Sequence, residues 1–256
     1  MPQPELITVT ADTVAKTGFF CKMSARGKPG YEQKLAWLDK RFTEGLQMRL
    51  LGDGERGFVE FIPGAHAWRA IENAEDYMVI HCLWVVGRSK GKGFSTILLD
   101  EVEAVARSQG FKGVAAVTSR QHWLIDAGVL ERRGYIRAAT APPSFDLMLH
   151  KFDDSAGTPK FCGGWDKKLR ANSTGLVVYR SGQCPYLDDA ALHAQSLAEE
   201  QRLPFEEIVL ESAQDVRRLS PTPYGVFALV LNGMLLSYHY LLKKEIAKAA
   251  SVILTA

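Results

Sequence analysis

The chain has 256 residues, of which 46% are hydrophobic and 23% are charged. This composition excludes a largely disordered or fibrous chain, and the length favours one large or two medium domains. The net charge of +2, with both signs interspersed, argues against a nucleic-acid partner. No apolar run of about 18 residues and no leader-like N-terminus is present, so we expect a cytoplasmic protein without a membrane partner.

The cysteines argue against a disulfide framework and against a metal site. Four cysteines are scattered through the chain, at positions 21, 82, 162 and 184. They are too few for a disulfide-stapled fold of this length, so we expect reduced thiols. No Cys-x-x-Cys pair or tight Cys/His group offers the ligands of a zinc site, and no metal is expected.

The first 150 residues alternate between strand and helix patterns. A short strand is predicted at 6–10, and a hairpin over 46–51 and 58–62. Residues 77–86 read YMVIHCLWVV, which predicts a central strand buried on both faces and ended by Gly87. Apolar residues then recur at helical spacing from Ser95 to Gly110.

Further elements complete this part of the chain and begin a second one. A strand at 114–118, a helix at 123–133 and strands at 135–138 and 145–150 add further members to the sheet, which predicts an α/β (α+β) fold. The second part predicts, in order, a strand at 176–179, a helix at 190–201, a strand at 205–210, a helix at 215–219, a hairpin over 227–239 and a helix at 243–250. We therefore expect domains at 1–152 and 174–256, joined by a linker at 153–173.

The segment Arg88-Ser-Lys-Gly-Lys-Gly93 joins the central strand to the helix. Its glycines let the backbone turn tightly and approach a ligand closely, and the helix that follows directs its unpaired N–H groups at the same place. Arg88, Lys90 and Lys92 add positive charge, so the loop is a phosphate cradle unless the cations belong to a solvated turn. Lys92 is followed by glycine, which excludes a Walker loop, and Thr96 stands where a dinucleotide fingerprint needs glycine or alanine.

Arg88, Gly91 and Gly93 match the Arg/Gln-x-x-Gly-x-Gly/Ala signature, and with it residues 5–150 resemble the GNAT superfamily of N-acetyltransferases. The resemblance implies an acyl-CoA acyltransferase fold with a mixed central sheet, and acetyl-CoA as co-substrate. It also implies which residues bind the coenzyme. The pantetheine arm would meet Trp84, Val85 and Val86, and the pyrophosphate would meet Arg88, Ser89, Lys90, Gly91, Lys92, Gly93, Phe94 and Ser95.

Acetyl transfer by direct attack of an amine on the thioester needs a proton acceptor. His81 is one candidate, because an imidazole titrates near neutrality and some members of the superfamily use a histidine at a similar place. Glu60 on the preceding strand is another, and a hydrogen-bonded core role remains open for His81. Many members supply a general acid from a helix tyrosine, but Leu130 stands at that position here.

The element order of residues 174–250 resembles thioredoxin-like domains, and Cys184-Pro-Tyr186 resembles the glutaredoxin motif. We expect the helix N-terminus to lower the pKa of the Cys184 thiol, which makes this residue a candidate nucleophile. Leu187 takes the place of the second cysteine, so Cys162 is the candidate partner. Such domains carry a cis-proline, for which Pro221 and Pro223 are candidates. A noncatalytic, substrate-positioning domain is the alternative.

The combination of the two domains resembles the YoaP group of bacterial acetyltransferases, as do the segments IHCLW at 80–84 and FCGGW at 161–165. We therefore expect acetylation of a small-molecule amine, with an aminothiol or an amino acid among the candidates. A thiol-transfer protein that uses Cys184 and a noncatalytic acyl-CoA sensor are the alternatives. The sequence leaves open whether the protein forms a homodimer.

Overall fold

The computed structural model describes residues 4–120, 123–171 and 173–255. The chain divides into two compact units. The first unit comprises Met1–Met23, Leu38–Ala67 and Ile71–Phe161, and the second comprises Ser24–Trp37, Trp68–Ala70 and Cys162–Ala256. No helix in the described ranges is both long and apolar enough to cross a membrane.

The strands and helices follow one another along the described chain. The strands are β1 (Leu6–Val9), β2 (Gln47–Leu51), β3 (Gly57–Pro63), β4 (Ile71–Glu72), β5 (Tyr77–Val85), β6 (Gly113–Ser119), β7 (Ile136–Ala141), β8 (Phe145–Lys151), β9 (Lys160–Phe161), β10 (Leu176–Arg180), β11 (Phe205–Val209), β12 (Phe227–Leu231) and β13 (Met234–Ser237). The helices are α1 (Ala11–Thr17), α2 (Pro29–Phe42), α3 (Phe94–Ser108), α4 (Ala127–Glu131), α5 (Trp165–Arg170), α6 (Leu187–Gln201), α7 (Ala213–Leu219) and α8 (Lys243–Leu254).

The first unit contains a seven-stranded mixed sheet in the order β1-β2-β3-β5-β6-β8-β7. The pair β5–β6 is parallel and the other pairs are antiparallel, as the predicted mixed sheet requires. The parallel pairing joins only Tyr77–Ile80 of β5 to Gly113–Ala116 of β6. Beyond Ile80, β5 continues to Val85 while paired with β3 alone among the described strands.

Helix α3 is held on this sheet by its apolar face. Leu98, Leu99 and Val102 are fully buried and belong to one core cluster with Met78 and Ile80 of β5. Burial of each such side chain contributes roughly 1.5–3 kcal/mol. Because α3 also packs on β3 and β6, its N-terminus is fixed just after the end of β5.

The second unit contains a four-stranded sheet in the order β11-β10-β12-β13. Strands β10 and β11 are parallel, and the other two pairs are antiparallel. Helix α6 packs on β10, β11 and α8. The hairpin β12–β13 turns at Asn232 and Gly233, whose φ angles of +49° and +78° are those that an Asn-Gly hairpin turn requires.

Several sequence expectations differ from the structure. Helix α1 was not predicted, and the helix predicted at 123–133 is shortened to α4 because Asp126 is extended, with φ −70° and ψ 131°, at its N-cap. The predicted linker contains β9 and α5. The peptide bonds before Pro221 and Pro223 are trans, and the cis bond described in the chain joins Pro142 to Pro143.

Candidate functional site

A groove of about 750 Å³ lies where β5 leaves β6 and α3 begins. Residues from three segments line it: the end of β5, the loop that follows with the first turn of α3, and the segment at 124–129. They are Leu83, Trp84, Val85, Ser89, Lys90, Gly91, Gly93, Phe94, Ser95, Leu124, Ile125, Asp126 and Val129. The walls are mostly apolar, and apart from Asp126 the polar lining side chains Ser89, Lys90 and Ser95 belong to the loop and the first turn of α3.

Two glycines shape the loop at the end of the groove. Gly91 and Gly93 have φ angles of +75° and +80°, which side chains with a Cβ rarely adopt. A Cβ built on either glycine meets no protein atom within 4 Å, so the space beside them is open. Gly93 immediately precedes the 15 residues of α3, whose first N–H groups have no carbonyl partner within the helix. These are the features of a helix N-terminus that can accept an anion.

The three cations of the loop take different positions. Lys90 is exposed and lines the groove. Arg88 donates a hydrogen bond to the carbonyl oxygen of Gly54 over 3.2 Å, and the Lys92 ammonium lies 2.9 Å from a carboxylate oxygen of Glu55. Arg88 and Lys92 do not line the groove, so Lys90 is the one of these three loop cations that belongs to its lining.

Most of the predicted coenzyme-binding residues surround this groove. Of them, Val86, Arg88 and Lys92 are outside its lining. Sequence reasoning missed Leu83 and the residues Leu124, Ile125, Asp126 and Val129. The signal available for the second group was its position just before and within α4, since those residues carry no motif.

Glu60 and His81 form a buried pair on the adjacent strands β3 and β5. The Glu60 Oε1 atom lies 3.3 Å from the His81 Nδ1 atom, and the side chains are 2% and 0% exposed. Glu60 pairs with Cys82 while Phe61 pairs with Ile80, so His81 is the extra residue of a β-bulge. The structure thus brings the two candidate proton acceptors together. His81 is two residues before the groove residue Leu83, but neither His81 nor Glu60 lines the groove.

The position expected for a general acid is apolar. Leu130 is fully buried in the core cluster, and its neighbour Val129 is the residue of α4 that lines the groove. Tyr135 is buried as well, and its hydroxyl donates to Glu103 over 3.3 Å. Burial and the nearby Glu103 carboxylate raise the pKa of Tyr135 well above its ordinary value, which makes it a poor proton donor.

Cys184 lies in the second unit, in the turn before α6, and its carbonyl oxygen accepts the N–H of Leu187 over 3.2 Å. The preceding Gln183 accepts a hydrogen bond of 3.0 Å from the buried Arg69. The N–H of Cys162 donates to Ala70 over 3.0 Å, so both cysteine segments contact the stretch Trp68–Ala70. None of the four cysteines, all of which lie in the described part of the chain, forms a disulfide.

Comparison with known proteins gives the class of this site. Residues 20–135 match the Acetyltransferase (GNAT) family. The chain is 28% identical over 235 residues to a Bacillus subtilis (strain 168) protein described as an uncharacterized N-acetyltransferase, YoaP; the match covers 91% of this chain and 92% of that protein.

Solved structures also resemble the chain. The acetyltransferase yncA of Salmonella typhimurium, solved with acetyl-CoA, is 17% identical, covers 61% of this chain and 98% of its own, and has a TM-score of 0.44. The N-acetyltransferase YhbS of Escherichia coli, in complex with CoA, is 15% identical, covers 61% of this chain and 85% of its own, and has a TM-score of 0.43.

The mixed sheet, the glycine loop before α3 and the family match together define a GNAT acetyltransferase domain. The chain thus carries an N-acetyltransferase domain of the GNAT type. Among the described residues, no group of three or more His, Cys, Asp and Glu side chains is arranged to hold a metal ion.

Proposed function

We propose that the groove of the first unit binds acetyl-CoA and that the enzyme acetylates a small-molecule amine. The pyrophosphate lies against Gly91, Gly93 and the first turn of α3, where open space meets unpaired N–H groups. The pantetheine arm follows Trp84 and Val85, which lie beyond the pairing of β5 with β6. The observation that carries the proposal is this coincidence of a diverging strand and an anion site in one groove.

The chemistry is a direct transfer. The neutral amine nitrogen attacks the thioester carbonyl, a C–N bond forms, the C–S bond breaks, and coenzyme A leaves as a thiolate. A thiol pKa of about 8.5 makes this leaving group adequate without a tyrosine acid. The proton from nitrogen passes through water to His81, which belongs to the groove strand β5 but is buried and outside the groove lining. The Glu60 carboxylate, 3.3 Å away, stabilises the imidazolium that forms.

The substrate class is tested by incubating the purified protein with acetyl-CoA and a panel of amines, aminothiols and amino acids, while the release of free coenzyme A thiol is followed. Amine-dependent release by at least one compound is expected, and its structure gives the acceptor class. Binding of coenzyme A with no release for any compound would contradict the proposal and favour an acyl-CoA sensor.

The base is tested separately. Glu60→Gln keeps the shape of the side chain and removes its charge, so kcat is expected to fall about tenfold or more with little change in the KM for acetyl-CoA. The matched control is Glu131→Gln, because Glu131 is an exposed carboxylate paired with Arg137 on the surface. An unchanged kcat in Glu60→Gln would remove this pair from the mechanism.

We propose in addition that residues 174–256 are a thioredoxin-like domain that carries a reactive thiol at Cys184. Support comes from the parallel pair β10–β11, the antiparallel strands β12 and β13, and the position of Cys184 before α6. Cys184→Ser is expected to abolish exchange with a small disulfide while acetylation continues. Equal exchange by the wild type and this variant would contradict the thiol role.

A further inference from the structure

We propose that Glu55 is a positioning residue, which holds the loop at 86–92 in the conformation that binds the coenzyme anion. The inference rests on the proposed function of the groove. Glu55 belongs to the turn between β2 and β3, outside the groove lining, and no motif marks it.

The carboxylate of Glu55 contacts the loop at two points. Its Oε2 atom accepts the hydroxyl hydrogen of Ser89 over 2.6 Å, and its Oε1 atom accepts from the Lys92 ammonium over 2.9 Å. Ser89 is fully buried, and its Oγ atom also accepts the N–H of Arg56 over 2.8 Å. The hydroxyl of Ser89 is therefore used to fix the loop.

The rest of the turn adds two main-chain contacts. The N–H of Val86 donates to the carbonyl oxygen of Arg56 over 3.0 Å, and Arg88 donates to that of Gly54 over 3.2 Å. The turn is itself held by the residue that precedes β1, since the N–H of Gly52 donates to the carbonyl oxygen of Glu5 over 2.8 Å. The loop thus has a support that is fixed to the sheet and whose own residues are outside the groove lining.

Glu55 is charged when the enzyme works. The hydrogen bond from Ser89 and then the one from Lys92 lower the pKa of Glu55 below its ordinary value of 4.5. The ionised carboxylate is the strong acceptor that both donors need, and its side chain is only 19% exposed. A loop fixed before the coenzyme arrives loses less conformational freedom on binding, which favours affinity.

The test measures the dissociation constant of coenzyme A by titration and the steady-state constants of acetyl transfer. Glu55→Ala is expected to raise both the dissociation constant and the KM for acetyl-CoA roughly tenfold, with kcat within about twofold of the wild type. Glu55→Gln retains an acceptor oxygen and is expected to restore binding to within roughly threefold. The control is Glu101→Ala, which removes a carboxylate of α3 that lies 2.8 Å from the Arg49 guanidinium of β2. This variant is expected to leave the dissociation constant of coenzyme A unchanged.

Hydrogen exchange adds a measurement that does not depend on activity. Without coenzyme, the amides of residues 89–93 are expected to exchange faster in Glu55→Ala than in the wild type. Coenzyme binding and loop exchange that are both unchanged in Glu55→Ala would overturn the inference while leaving the proposed function intact. A wild-type protein that binds no coenzyme A would overturn both.

Discussion

Replacement of Gly93 by alanine separates a cost in stability from a loss of coenzyme binding. The new Cβ meets no protein atom within 4 Å, so the folded state suffers only the strain of an alanine at φ +80°. That strain costs about 1–2 kcal/mol, and the reduced freedom of the unfolded chain offsets about 0.4–1 kcal/mol. The net loss is about 1 kcal/mol, which lowers Tm by about 2–4 °C for a chain of this size.

The effect on the coenzyme is expected to be larger and specific. A methyl group at Gly93 stands where the pyrophosphate approaches the backbone, so the dissociation constant of coenzyme A should rise at least about tenfold. Gly110→Ala is the matched control, because Gly110 has φ +79°, also has no atom within 4 Å of a built Cβ, and lies beyond the other end of α3. Thermal melts and calorimetric titration measure both quantities. Equal weakening of binding in both variants, or unchanged binding in Gly93→Ala, would refute the placement of the pyrophosphate.

Three further predictions concern the loop support, the groove wall and the sheet. Because the pKa of Glu55 is lowered in the folded state, the ionised side chain stabilises the fold above pH 4.5, and this stabilisation is lost as the pH falls through the lowered pKa. The Tm difference between wild type and Glu55→Gln should therefore shrink below pH 4.5. A Tm difference that grows in acid would contradict this prediction. Leu130→Tyr should overpack the core and lower the free energy of unfolding, measured by urea denaturation, by about 1–3 kcal/mol. Val129→Tyr should mainly change the KM for acetyl-CoA, because Val129 lines the groove. The reverse pattern would show that the groove-lining face of α4 is assigned wrongly. Gly64→Ala places a Cβ 1.8 Å from the carbonyl oxygen of Ala74 and should lower the free energy of unfolding by about 3 kcal/mol or more. Gly157→Ala has open space around the new Cβ and should change the free energy of unfolding by less than about 0.5 kcal/mol. Similar values for the two variants would argue against the close packing at position 64.

The parts of the fold with strong local patterns could be predicted from the sequence. The apolar run of β5, the helical spacing of α3 and the Asn232-Gly233 turn each depend on neighbouring residues only, and each is confirmed. The inclusion of Ser24–Trp37 and Trp68–Ala70 in the second unit could not be foreseen, because those segments reach it through contacts distant in sequence.

In the candidate site, too, local motifs could be predicted from the sequence, whereas contacts between distant residues could not. The glycine loop can be recognised in the sequence from Gly91 and Gly93. The proximity of Glu60 to His81 cannot, because it depends on a bulge in the register of β3 and β5. The contacts of Glu55 with the loop could not be predicted from the sequence either. They join positions more than 30 residues apart, and the turn that contains Glu55 carries no motif.

We expect this enzyme to transfer an acetyl group from acetyl-CoA to an amine nitrogen. The most direct measurement uses acetyl-CoA with an isotope-labelled acetyl group, an acceptor amine found in the panel, and mass spectrometry of the small molecules and of the protein. We predict that the label appears on the nitrogen of the amine in equal amount to the coenzyme A released. Label found only as free acetate, or retained on a cysteine of the protein while the amine stays unmodified, would contradict the account.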